Sequence, residues 1–299
     1  MSTKKGYLQT NDVLREEQIE RLKRGWARFT SNALSIIGFL MVLSLVFSAL
    51  FAPLIAPYPG DATGDINFDR ASESPSVDHL MGTDTEGRDI FSRVLFGARI
   101  SLLMGAVVLS IAITVGVSLG LVAGYFGGKL NAVIMRTTDC FLAIPPTLLA
   151  MAVIAATTQS LWMTMLAIAA SWWTWYARII QGEVLSIKEN EFIEASQSLG
   201  ANWYHIAFKE ILPNAIGPIT VKATLDMGFV ILVGAGLAFL GLGSQPPTPD
   251  WGIMIASGRA YVGQYWWMAT FPGLAISYAV LAFNLLGDGL RDILDVEVQ

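Results

Sequence analysis

CFLAIPPTLLAMAVIAATTQSLWMTMLAIAASWWTWYA, residues 140–177, runs for 38 residues without an acidic or basic side chain. About 20 helical residues cross a hydrocarbon layer about 30 Å thick, so the run is nearly twice the length of one crossing. It divides most simply into two helices, 141–156 and 162–180, turned at the polar group Thr157-Thr158-Gln159-Ser160. Pro145-Pro146 should break or bend the start of the first. A soluble protein has no reason to keep charges out of so long a stretch, whereas a helix facing lipid must.

The pattern repeats in both directions. Residues 30–60, 100–128, 227–249 and 260–287 are also free of charge, and only 14% of the 299 residues are charged, where about a quarter is usual for a soluble domain. The expectation is an all-α polytopic membrane protein with about six transmembrane helices, at 34–56, 100–123, 141–156, 162–180, 215–240 and 266–286. With the N-terminus in the cytoplasm, 13 lysines and arginines fall on the inner side and five on the outer, with Lys222 inside the fifth span. Both termini are then cytoplasmic in a multi-pass protein of the cell membrane. Residues 1–33 form an inner segment, 34–56 the first span, 57–99 an outer loop, 100–290 the body with an inner loop at 183–213, and 291–299 a tail.

Other features constrain function by elimination. The net charge of −5 gives no support to nucleic-acid binding. The single cysteine, Cys140, excludes an intrachain disulfide and reads as a packing residue. The first apolar run follows a charged segment longer than a signal-peptide n-region, so it reads as a span and not a cleaved leader. His79 and His205 are expected on opposite sides of the membrane, which leaves no shared metal site, and no glycine loop for phosphate or HExxH pattern occurs. No catalytic arrangement is expected.

Three polar segments remain. Ile19, Leu22, Trp26 and Phe29 recur at helical spacing among charges, the pattern of an amphipathic helix lying on the inner membrane surface. In the outer stretch GTDTEGRD, 82–89, Asp84 or Thr85 is expected to cap a short helix leading into the second span, and Arg88 and Asp89 to pair with neighbours. The inner loop is the most organised. IKENEFIEASQS, 187–198, suits a helix with Ile187, Phe192, Ala195 and Leu199 near one face. Gly200 is placed to stop it, and Asn202 to cap a second helix, 203–212, ending at Pro213. On pattern alone, Glu194 reads equally as a solvated residue or a protein contact. Within the fifth span Lys222 and Asp226 are four apart and share a face, so they pair or line a polar route, with pairing favoured.

These residues resemble a family. Glu194-Ala195-Ser196, then Gly200, then Ile211-Leu212-Pro213-Asn214 resemble the "EAA" loop of permease subunits of ATP-binding-cassette importers. Ser196 stands where alanine is common and Glu210 where histidine often precedes ILPN. GTDTEGRDIFSRVLFGARISL at 82–102, FLGLGSQPPTPDWGIMI at 239–255 and FNLLGDGLRDILD at 283–295 resemble the second permease type of the dipeptide and oligopeptide branch.

The resemblance implies a core of five helices plus one N-terminal helix, and a coupling helix at 191–208 seated on an ATPase. Glu191, Glu194, Ala195, Ser196, Gly200, Ala201 and Tyr204 would carry the coupling. Lys222 and Asp226 would belong to the translocation path or to helix pairing. Pro246, Pro247, Asp250 and Trp251 would lie on the binding-protein side. Implied partners are a homologous second permease subunit, two ATPase subunits, an extracytoplasmic substrate-binding protein and membrane lipid. No cofactor is expected in this chain, ATP and Mg residing on the ATPases. Di- or oligopeptides lead as substrates, with nickel complexes, glutathione or oligosaccharides as alternatives. A self-contained secondary transporter or membrane enzyme is the competing class, and it would call for more convergent ionisable groups or duplicated broken helices than the sequence shows.

Overall fold

The computed structural model describes residue 27 and residues 29–294. Most of the inner amphipathic segment, including Ile19, Leu22 and Trp26, lies outside them, as do residues 295–299 of the tail. The longer α-helices run in chain order as α1 (Ala33–Ile55), α2 (Pro59–Thr63), α3 (Ile90–Phe126), α4 (Gly128–Leu142), α5 (Pro146–Ala155), α6 (Leu161–Lys188), α7 (Glu191–Ser198), α8 (Trp203–Phe239), α9 (Trp251–Gly258) and α10 (Trp267–Leu294). Within α8, Ile206–Ile211 is π-helical.

Starts and breaks have local causes. Asn32 and Ser160 cap α1 and α6 through side-chain oxygens that accept from Leu34 and Met163 N–H. The axes of α4 and α5 meet at 83° across Ala143–Pro145, where Pro146 removes a donor and restricts the residue before it. The long α3 starts at Ile90 and is capped by Asp89, which accepts from Ser92 N–H at 2.7 Å. The expected cap at Asp84 or Thr85 is thus replaced. Asp84 instead accepts the N–H groups of Glu86 and Arg88 and holds a turn ahead of the helix.

Four helices combine the length and apolar composition of a membrane span: α1, α3, α8 and α10 as far as Ile293. The bent pair α4 and α5 makes a fifth if taken as one crossing. The expected six is therefore not reached by these measures, because α6 carries Trp162, Trp172, Trp173, Trp175 and Tyr176 together with Thr164, Ser171 and Thr174. Part of that composition lies on its covered side, where Thr164, Ser171, Trp172, Thr174 and Tyr176 are buried, while Trp162 and Trp175 are exposed. The covered side of a helix is relieved of the demand for lipid-compatible side chains.

The closest helix crossing is made by small residues. Gly116, Gly120 and Gly124 recur every fourth position on α3, and a Cβ on any of them would stand 2.4–2.7 Å from Trp173 O, Ala177 O or Val184 Cβ of α6. One apolar cluster joins α3, α5, α6, α7 and α8, and it takes in Ile193, Ile206 and Ile211. A second joins α1, α3, α8, α9 and α10 around Trp251, Trp267 and Phe283. The helical turns between α6 and α8 are thus part of the same core as the long helices. Cys140 is exposed, contrary to its expected packing role, because it sits on the open side of α4 and not against α6.

Candidate functional site

The segment between α6 and α8 is short and fully specified by backbone chemistry. α6 continues through Ile187 to Lys188, so the helix expected from residue 187 begins instead at Glu191, after a break at Glu189 and Asn190. Glu191 and Glu194 occupy the first turn of α7, where carboxylates are favoured by the helix dipole. At its other end, Gly200 N–H donates to Gln197 O at 2.9 Å and Ala201 N–H to Ser196 O at 3.1 Å. This paired closure needs a left-handed residue, supplied by Gly200 at φ +83°, with no neighbour within 4 Å of a hypothetical Cβ. The glycine is required for conformation and not for room. Asn202 then caps α8, its side chain accepting from His205 N–H at 2.9 Å.

The face of α7 differs from that expected. Ile193 is the fully buried side chain, while Phe192 is exposed and Leu199 is 89% exposed. The reason is register: with the helix starting at Glu191, Ile193 points back at Ile206, Ala207 and Ile211 of the core. The second helix does not end at Pro213 but runs on to Phe239. The wider π-helical turns at Ile206–Ile211 come immediately before the proline, where the ring would otherwise meet the carbonyl four residues back.

Two residues that the sequence presents separately are brought together here. The Ser196 hydroxyl donates to Glu210 Oε1, and His205 Nε2 stands 3.5 Å from the same oxygen. The contact ties α7 to the start of α8. Trp203 packs on Phe126 and Tyr125 with ring centres 5.3 and 6.3 Å apart, and Lys188 Nζ donates to Tyr125 O at 2.7 Å, so the segment also grips the end of α3. Outward, it presents Glu191, Glu194, Ala195, Leu199, Gly200, Tyr204 and Phe208, while Ser196 and Ala201 are half-buried. Leu199, Tyr204 and Phe208 are large apolar or aromatic side chains left open beside two carboxylates.

Lys222 and Asp226 form an ion pair on α8, and the Tyr176 hydroxyl donates to the second carboxylate oxygen at 2.9 Å. The Lys222 ammonium lies 5.7 Å from the centre of the Trp175 ring.

At the opposite end of the long helices, Asp250 accepts from Gly252 N–H at 2.8 Å and from the Ser244 hydroxyl at 3.1 Å, capping α9. Burial pushes its carboxyl above the usual range, against the pull of these hydrogen bonds. Trp251 is buried and donates from Nε1 to Val94 O at 3.0 Å. Asp250 and Trp251 therefore build the segment from inside, and only Pro246 and Pro247 of the four expected surface residues are exposed.

The loop of 57–89 holds a polar network in which Arg88 and Asp89 pair with neighbours as expected, and which His79, Asp61 and Arg93 join. Asp89 Oδ1 lies 2.9 Å from His79 Nδ1, and Asp61 Oδ2 accepts from Asp89 N–H at 2.7 Å. Arg88 pairs with Asp84 at 2.7 Å and Glu86 at 2.8 Å, and Arg93 donates to Asp61 O at 3.1 Å. Burial raises the Asp61 carboxyl above its ordinary range. The contacts of His79, Asp61 and Arg93 were not foreseen, and the sequence marks them only by the density of acids around 84–89.

Residues 116–299 match the family described as binding-protein-dependent transport system inner membrane component, and residues 21–75 match the N-terminal TM domain of oligopeptide transport permease C. The chain is 40% identical over 297 residues to the glutathione transport system permease protein GsiD of Pectobacterium atrosepticum, covering 99% of this chain and 98% of that protein. It is 42% identical to the di/tripeptide transport system permease protein DppC of Pseudomonas aeruginosa, over 93% of each. With the probable D,D-dipeptide transport system permease protein DdpC of Escherichia coli it shares 45% identity over 74% of each. Among solved structures, a chain of the MetNI methionine ABC transporter in inward-facing conformations superposes with a TM-score of 0.57 at 20% identity, over 68% of this chain and 97% of that one. That likeness is one of fold.

Proposed function

The chain belongs to the binding-protein-dependent transport system inner membrane components, as a permease subunit of an ATP-binding-cassette importer, and from that premise we propose that 191–208 is its coupling element and that peptides or glutathione-like substrates are its cargo. The observation that carries this reading is the double character of the inner segment. Ile193, Ile206 and Ile211 are locked into the core of the long helices, while Glu191, Glu194 and Tyr204 are exposed, Tyr204 beside the rings of Trp203 and Phe208. A push delivered to α7 reaches α8 through Ile193 and the Ser196–Glu210 contact, and α3 through Trp203.

Two ATPase subunits, a homologous second permease and an extracytoplasmic binding protein complete the machine in this reading. ATP and Mg reside on the ATPases. A conformational equilibrium moves only as far as differential binding to its two states allows, so the ATPases must hold 191–208 differently in their open and nucleotide-closed forms. We take α6 and the bent pair α4 and α5 as further crossings, which gives six, and an even count keeps both termini in the cytoplasm. Joining α6 to α8 through 14 residues, 189–202, supports this: both helices then enter the membrane from the coupling side. Pro246 and Pro247 are the candidates for contact with the binding protein.

The test is copurification and transport. Expressed with its operon neighbours, the chain should copurify with two ATP-binding subunits, and reconstituted vesicles should accumulate a dipeptide or glutathione only with ATP and loaded binding protein. Accumulation by the isolated chain would favour a self-contained carrier instead.

A further inference from the structure

Asp139 of α4 and Arg178 of α6 form an ion pair in which each side chain is 50% exposed. Trp175, three residues before Arg178 and so on the same face, is 44% exposed and faces the Lys222 ammonium of α8. Lys222, 29% exposed, pairs with Asp226, 5% exposed. These contacts trace one polar strip across three helices. Lys222 lies seven residues, about 10 Å, beyond Ala215, where the membrane-spanning part of α8 is expected to begin, and 17 residues, about 26 Å, before Phe239. Arg178 is ten residues inside the end of the 28-residue α6, toward the same end of the helices.

A partly exposed charge within the membrane-spanning part of such helices is costly against hydrocarbon. Surfaces of this chain suited to lipid look different: the open faces of α1 and α10 carry Leu40, Leu43, Leu50, Leu274 and Leu281. The strip therefore faces water or the second permease.

The unused hydrogen-bonding capacity differs along the strip. At the α4 end, Asp139 engages Arg178 through one oxygen and keeps the other open. At the α8 end, each oxygen of Asp226 is engaged, one by Lys222 and the other by the Tyr176 hydroxyl, while Lys222 has three donors and gives one of them to Asp226. What the Lys222 end can still bind is an acceptor, most strongly an anionic one.

We propose that Lys222, supported by Trp175 and Arg178, is a substrate contact in the translocation path that receives a carboxylate group of the passing solute. The proposal rests on the reading of this chain as half of an importer conduit. The open donors of Lys222 then offer a transient partner along the path, while Asp226, buried and held by the Tyr176 hydroxyl, orients Lys222.

The experiment uses the complete transporter in vesicles, with a radiolabelled dipeptide and glutathione as probes. K222Q should lower uptake about tenfold, K222R should retain most of it, and ATP hydrolysis stimulated by loaded binding protein should persist in both. The decisive variant is K222Q combined with D226N, which removes the charge left behind while keeping an oxygen for the Tyr176 hydroxyl. If Lys222 only neutralises Asp226, the double change restores uptake and the proposal is overturned; if Lys222 meets substrate, uptake stays low.

Because Cys140 is the sole cysteine, K222C in a C140A background reports on access. It should react with a membrane-impermeant thiol reagent and be protected by the dipeptide, whereas L281C should not react. An unreactive K222C also overturns the proposal. Failure of the unaltered complex to move either probe would instead strike at the proposed function.

Discussion

The two ends of the long helices treat their polar groups in opposite ways. At the end that carries 57–89, Asp89, His79, Asp61 and Arg93 are buried and linked to one another by hydrogen bonds. At the end that carries 191–208, Glu191, Glu194 and Tyr204 stand exposed above a buried Ile193. A buried charge without a partner costs several kcal/mol, so the network around Asp89 must close on itself or the fold fails. An exposed charge costs almost nothing until another surface covers it. The first arrangement suits a scaffold and the second a docking surface.

Substitutions can break this contrast, and those around Asp89 should act on stability. D89A removes the α3 cap and the partner of a buried histidine, and should cost about 3 kcal/mol, visible as a lower unfolding temperature in detergent. Uptake falling with no change in unfolding would contradict the scaffold reading. Next in size is G200V, which places a β-branched side chain at φ +83°; about 1–2 kcal/mol of local strain should distort the α7 terminus and abolish most uptake while the helices stay assembled.

Charge reversal by E194K should leave unfolding within about 0.5 kcal/mol of the parent, since the side chain is exposed. It should nevertheless lower transport-coupled ATP hydrolysis about tenfold, or roughly 1.4 kcal/mol. Normal coupled hydrolysis would move Glu194 back to the reading of a merely solvated residue. S196A sharpens the comparison from within: losing the hydroxyl that reaches Glu210 should cost about 1 kcal/mol and reduce the uptake obtained per ATP. Equal losses in uptake and hydrolysis would indicate loosened structure without a role in transmission.

The smallest effect concerns pH. Burial raises the Asp250 carboxyl in the folded chain, so the folded state holds that proton more tightly than the unfolded one. Its contribution to stability is full below the ordinary aspartate range, about pH 4, and is lost as pH rises through the raised value. Unfolding followed across the mildly acidic range should show less pH dependence in D250N than in the parent, by about 1 kcal/mol or less.

Much of the element at 191–208 was legible because its signals are local. Gly200 and Asn202 act on backbone groups within a few residues of themselves, and the structure uses both as the sequence suggests. Pro145-Pro146 likewise marks the bend between α4 and α5. Pro213 misled because a proline need not end a helix: Pro53, Pro218 and Pro272 also lie inside α1, α8 and α10, and before Pro213 the turns widen to a π-helix. The break at Glu189 and Asn190 restarts the helix at Glu191, so Phe192 no longer continues the face of Ile187, and Ile193, which the pattern had not singled out, is the buried side chain. Asp250 and Trp251 carry no local mark of burial: a tryptophan after a capping aspartate suits a surface loop equally well, until its ring is found against Gly97 and Val94.

The chain's own pattern was enough to specify an all-α membrane protein with a folded loop between two long helices, because a charge-free run of spanning length and a glycine or asparagine at a helix end act through hydration and backbone geometry over short distances. Only the tertiary structure decided that Ser196 meets Glu210, that His79 meets Asp89, and that Asp139, Arg178, Trp175 and Lys222 lie along one strip. Those contacts depend on how separate helices cross, and the crossings are set by small residues such as Gly116, Gly120 and Gly124 fitting a neighbour's backbone, a match of shapes that no single segment contains.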